Sequence, residues 1–206
     1  VPALDLIFLL TFAALLPSIV VMMTSFTRTI IILSFTRNAM GVQQAPPNMV
    51  LVGIAMFLTL YIMSPVMDRI NEEAYQPYLE GEITQQEAVD LMVVPLKEFM
   101  LRNTEIDTLN HFVEISGTPK EENVQNYPLT VVVPSFMTTE LKHGFIAGFL
   151  IYLPFLLVDI IVSTTLMSMG MVMLPPAMVS LPFKLLLFVT VDGWELIFTN
   201  IATVYR

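Results

Sequence analysis

Residues 144–169 read GFIAGFLIYLPFLLVDIIVSTTLMSM, and this stretch decides the fold. From Gly144 to Met169 the only charge is Asp159, at its middle. An uninterrupted apolar run of this kind is the signature of a membrane-type helix. Residues 169–176, MGMVMLPP, follow it and form a turn made of apolar side chains. Gly170 and the pair Pro175–Pro176 break the helix there. Ala177 to Phe198 is expected to be one last apolar helix, carrying Lys184, Asp192 and Glu195. Residues 142–206 therefore read as an apolar helical hairpin.

The N-terminal part repeats the theme. Leu6 to Thr27 is uncharged for 22 residues, enough to cross a bilayer core of roughly 30 Å. Pro17 lies inside it and is expected to kink it. Arg28 to Gln44 carries two charges, Arg28 and Arg37. Residues 45–48, APPN, close that stretch and open the next helix, since proline suits a first turn. Met49 to Met67 is a second uncharged run, of 19 residues, with Pro65 near its end. Residues 1–67 thus form an apolar helical pair.

Residues 68–141 are different. Residues 68–122 hold thirteen acids against four bases, a surplus equal to the whole net charge of −9. Thr84 and Glu87 have capping-box spacing, so a helix is expected to start there and to run over about 85–115 with a break near Pro95. Residues 117–128 read as loop, and Leu129 to Val133 as a short extended piece closed by Pro134. Thr138 or Thr139 is the expected cap of the following helix. The fold class is all-α: membrane-type hairpins of kinked apolar helices around an inserted polar, mainly helical section.

Charge placement also gives a topology. The connection bearing Arg28 and Arg37 belongs on the cytoplasmic side, because basic residues are retained there. The acidic section and both ends then lie outside, and the Met-rich turn inside. An outside start usually requires a leader that has been removed, so a processed or truncated form is expected.

Composition excludes several chemistries. There is no cysteine and there are two histidines, His111 and His143, so no metal site and no cofactor are expected. Nucleotide-binding, zinc-hydrolase and serine-hydrolase motifs are absent, and no basic face exists for nucleic acid. The informative residues are ionisable groups within apolar helices: Glu140, Lys142, Asp159, Lys184 and Asp192. Such groups face a protein interior or a watery path, or snorkel to the interface. Asp159 and Asp192 read as buried charges. Glu140 and Lys184 can pair within a hairpin or between copies.

Six strings carry a family resemblance: TSFTR at 24–28, GVQQ at 41–44, INEEAYQPY at 70–78, TELK at 139–142, GMVMLPP at 170–176 and SLPFKLLLFVTVDGW at 180–194. In that order they make the sequence resemble the flagellar biosynthetic FliP family. The resemblance implies a non-enzymatic subunit of a type III protein export gate. Several copies, five by that likeness, would assemble with FliQ and FliR, alongside subunits of the FlhA and FlhB type, into a closed pore for unfolded flagellar substrates. It places the assembly in the bacterial inner membrane at the flagellar basal body, with the acidic section periplasmic. It implies that Met171, Val172 and Met173 form a gasket around the pore, and that Glu140 and Lys184 form an ion pair between subunits. It also implies that the assembled gate sits largely on the periplasmic side, where apolar helices bury against neighbours. Three other readings remain: a small-molecule or ion channel, a membrane enzyme using Asp159, Asp192 and Glu195, and an injectisome gate.

Overall fold

The computed structural model describes residues 10, 14, 17–42, 44–171 and 173–205. Among them the chain is helical, with no strand. In order the helices are α1 (Pro17–Met23), α2 (Phe26–Ala39), α3 (Asn48–Ile70), α4 (Gln76–Leu79), α5 (Gln85–Arg102), α6 (Ile106–Ser116), α7 (Leu129–Ser168), α8 (Pro176–Thr190) and α9 (Gly193–Val204). A π-turn, Asn71–Tyr75, joins α3 to α4, and a 3₁₀ turn, Val124–Asn126, precedes α7. The stretches Asn48–Leu79 and Leu129–Ser168 are each long and apolar enough to cross a membrane. The pairs α1–α2 and α8–α9 pass the same test only as bent spans.

The chain forms two compact units. One comprises Val1–Thr27 and Thr59–Leu141, the other Arg28–Leu58 and Lys142–Arg206. In the first, α5 is launched by Thr84. Its hydroxyl accepts from the Glu87 backbone N–H, while the Glu87 carboxylate accepts from the Thr84 N–H at 2.8 Å. This is the expected capping box. Phe99 and Phe136 meet edge-on at 5.9 Å, and Met100, Val113, Val131 and Val132 are fully buried in the same unit.

Three expectations fail here. Pro95 does not break α5, which is continuous from Gln85 to Arg102. Proline removes one backbone donor, and its ring is fully buried among the core side chains. The break falls at Asn103–Glu105 instead, where the Asn103 and Thr104 side chains satisfy the last carbonyls, those of Phe99 and Met100. Leu129–Val133 is not extended but the first turn of α7. The amides of Val131 and Val132 bond the Pro128 carbonyl, and burial of both valines outweighs their preference for strands. Thr138 and Thr139 therefore do not cap α7; their hydroxyls bond back to the carbonyls of Pro134 and Ser135 inside the helix, and Thr139 also accepts from the Glu105 N–H at the start of α6.

In the second unit, close helix packing rests on small residues. A Cβ on Gly148 would lie 2.5 Å from Cγ of Phe35, and one on Gly144 would lie 3.2 Å from Ile31. α7 and α2 can approach only because both side chains are missing. The expected single helix over 177–198 is broken. Asp192 adopts a left-handed conformation (φ 49°), and α9 leaves α8 at 58°. Aspartate tolerates that conformation better than most residues. Gly193 follows because a Cβ there would strike Phe188 at 2.3 Å.

Candidate functional site

The hairpin of α7 and α8 brings three sequence-distant polar groups together. Ser180 and Lys184 are one helical turn apart, so they share a face of α8. That face meets Asp159 of α7. The Lys184 ammonium donates to Asp159 Oδ2 at 2.6 Å, and the Ser180 hydroxyl donates to Oδ1 at 2.6 Å. Each carboxylate oxygen thus receives one donor. The Lys184 side chain is 6% exposed and that of Asp159 31%. Gly41 (φ 78°) supplies the back wall, since a Cβ there would sit 3.8 Å from Lys184 Nζ. In an apolar hairpin, a buried ionisable group is costly unless it is paired in this way.

The tip of the hairpin is built just as deliberately. Gly170 has φ 75° and its amide donates to the Met167 carbonyl, while the Met171 amide donates to the Leu166 carbonyl, both at 3.0 Å. This is the two-bond Schellman termination, which needs glycine at its left-handed position. It turns the chain so that Met171 and Met173 project outward, Met173 being 98% exposed. Val172 lies outside the described residues.

The remaining expected residues lie elsewhere. Glu140 is fully buried on α7, in the other unit. Asp192 is not a buried charge: it is exposed at the α8–α9 corner, because a break replaces the continuous helix that would have enclosed it. The Asp192–Gly193 dipeptide is itself a turn signal, legible in the sequence.

A second polar cluster escaped the sequence reading. Arg28 is 6% exposed, its guanidinium stacks 4.6 Å above the Tyr205 ring, and Nη2 donates to His143 Nδ1 at 3.0 Å. A guanidinium has no acceptor, so in this contact Nδ1 is the acceptor. The signal was available as two basic residues flanking apolar runs.

Outside the apolar spans, two groups titrate abnormally. Hydrogen bonds from the Thr84 backbone, then its hydroxyl, hold the Glu87 carboxyl below its usual range. Burial pushes the Lys97 ammonium down, and it donates to the Gln125 carbonyl. Neither adjoins the hairpin cluster, so both read as supports of the acidic section rather than as acid–base catalysts.

Comparison with known proteins covers nearly the whole chain. The FliP family model matches residues 9–201. The flagellar biosynthetic protein FliP of Aquifex aeolicus (strain VF5) is 45% identical over 208 residues, covering 100% of this chain and 87% of that protein. Its counterpart in Bacillus subtilis (strain 168) is 48% identical over 192 residues, 93% of this chain and 87% of that protein. That of Pectobacterium carotovorum is 46% identical over 194 residues, 94% of this chain and 75% of that protein.

Proposed function

This chain belongs to the FliP family, and from that premise we propose that it is a structural, non-enzymatic subunit of the flagellar type III protein export gate. Sister copies, five by family likeness, join FliQ- and FliR-type subunits around a closed passage for unfolded export substrates. Subunits of the FlhA and FlhB type stand beside the gate. The acidic section, residues 68–141, faces the periplasm, between the apolar parts 1–67 and 142–206 held at the bacterial inner membrane.

The observation that carries this reading is the methionine turn. An exposed side chain such as Met173 at the tip of an apolar hairpin is costly in water and useful against a partner surface. Repeated around an axis, Met171, Val172 and Met173 would close a pore by excluding water and ions. The flexible side chains of Met171 and Met173 would yield as a polypeptide passes, while the stiffer Val172 would seal by shape.

Glu140 and Lys184 supply the register between copies. An ammonium has three donors, and Asp159 takes one of them, so Lys184 can hold its own hairpin and a sister's Glu140 together. The test is ion conductance through the purified assembly with Met171→Ala and Met173→Ala. The expected result is a leak that precedes any loss of export. Unchanged conductance in an intact assembly would overturn the gasket.

A further inference from the structure

The gate reading uses the apolarity and the flexibility of the methionine tip but leaves the sulfur itself without a role. Five of the fifteen methionines, Met167, Met169, Met171, Met173 and Met178, fall within this one turn and its flanks. All five are exposed, from 42% at Met171 to 98% at Met173. Met167 lies in the last turn of α7 and Met178 in the first turn of α8, so both lead into the same tip. Met40, Met63 and Met100, by contrast, are buried. Leucine conserves the volume and apolarity of methionine, so a seal alone does not call for sulfur.

An exposed thioether is open to two-electron oxidation. Its sulfur lone pair attacks one oxygen of hydrogen peroxide. An S–O bond forms as the O–O bond breaks, and the proton on the transferred oxygen passes to the departing one, which leaves as water. Sulfur is oxidised to the sulfoxide and the peroxide is reduced. The chain has no cysteine, so no thiol of its own competes for the oxidant. Methionine sulfoxide reductases, one for each epimer, return the thioether, releasing water and turning a thiol pair into a disulfide.

The product matters because of where it stands. A sulfoxide is polar and breaks up methionine-rich contacts. A constriction that closes by excluding water cannot stay dry once its lining is polar. We propose that the methionine tip is an oxidation site, at which peroxide converts Met171 and Met173 to sulfoxides and unseals the passage. The effect on the passage rests on the gasket reading; the chemistry needs only the exposed sulfurs.

The test is peptide mass mapping and ion conductance of the purified assembly before and after dilute hydrogen peroxide. The tip peptide should gain one oxygen per methionine before Met40, Met63 and Met100 react, and conductance should rise with that gain. Both reductases with dithiothreitol should then lower mass and conductance together. Met171→Leu with Met173→Leu keeps the seal but offers no sulfur. It should stay tight in peroxide even though Met49, exposed on α3, still reacts. Tip sulfurs that react no sooner than the buried three would overturn the site. So would an oxidised tip with unchanged conductance, or a leucine pair that leaks as much as the unsubstituted assembly. The alanine variants judge the gasket separately: a leak from them beside a peroxide-proof seal removes the oxidation site and leaves the gasket standing.

Discussion

Phe99 and Phe149 sit on helices of very different apolar content, and they end in opposite surroundings. Phe99, on α5, is 3% exposed and pairs with Phe136; Phe149, on α7, is 58% exposed. The difference follows from pattern. α5 and α6 alternate apolar and charged faces, so each has an inside and an outside, and one unit encloses its own core. From Gly144 onward, the only charge on α7 is Asp159, and the only charge on α8 is Lys184; most of the circumference of both helices is apolar. A helix of that kind needs more apolar surroundings than one chain supplies. Leu157, Met167, Phe183, Leu186 and Val189 are accordingly exposed in the single chain. The acidic section folds on itself, whereas the hairpin is finished by lipid or by companions.

The largest effect expected from breaking this contrast is at Lys184. Lys184→Glu places a carboxylate against Asp159 in a nearly dry hairpin, where removing one member of an ion pair costs about 3–5 kcal/mol. The assembled particle should be lost on size-exclusion chromatography. The double variant Asp159→Asn with Lys184→Met, which leaves no stranded charge, should recover a folded hairpin.

The two phenylalanines sharpen the comparison directly. Phe99→Ala should cost about 3–5 kcal/mol of local stability, read as faster amide exchange across α5 and α7. Phe149→Ala should change the exchange of the isolated chain little, since surface substitutions are usually within about 0.5 kcal/mol. It should instead weaken association. A smaller effect is expected at Gly148→Ala, where the added methyl meets Phe35 and must push α2 from α7, at about 1–3 kcal/mol.

These contrasts also mark what could be read before any fold was known. The apolar runs 49–67 and 144–169, the glycine–proline turn and the Thr84 cap each rest on local chemistry, and each stands where the sequence puts it; the run 177–198 is broken at Asp192, and most of residues 6–16 lie outside the described residues. Leu129–Val133 misled because β-branched residues favour strands until burial decides otherwise. Pro95 misled because its ring is fully buried in the core, and that packing offsets the lost donor. The Lys184–Asp159–Ser180 cluster was half legible. Its members were visible as misplaced polar groups, but their pairing depends on the hairpin register. The Arg28–His143–Tyr205 cluster joins residues nearly the full length of the chain apart, and no spacing rule reaches that far.

The smallest expected effect lies in the acidic section. Thr84→Ala should cost about 1 kcal/mol through the lost cap. The Glu87 carboxyl is held below its ordinary value of 4.5 in the folded chain. Its contribution is therefore complete above that value and is lost as pH falls through the lower folded value. Glu87→Gln should flatten the acid limb of α5 unfolding, followed by circular dichroism, by lowering the neutral plateau toward the acid level.

The central claim is that the methionine tips of several copies converge on one passage. The sequence contains no cysteine, so a single Met173→Cys variant reports without background. In cells carrying a stalled export substrate, Met173→Cys should cross-link both to a sister copy and to the substrate, while Val94→Cys, exposed on α5, should reach neither. An intact assembly in which Met173→Cys reaches neither sister nor substrate would contradict the account.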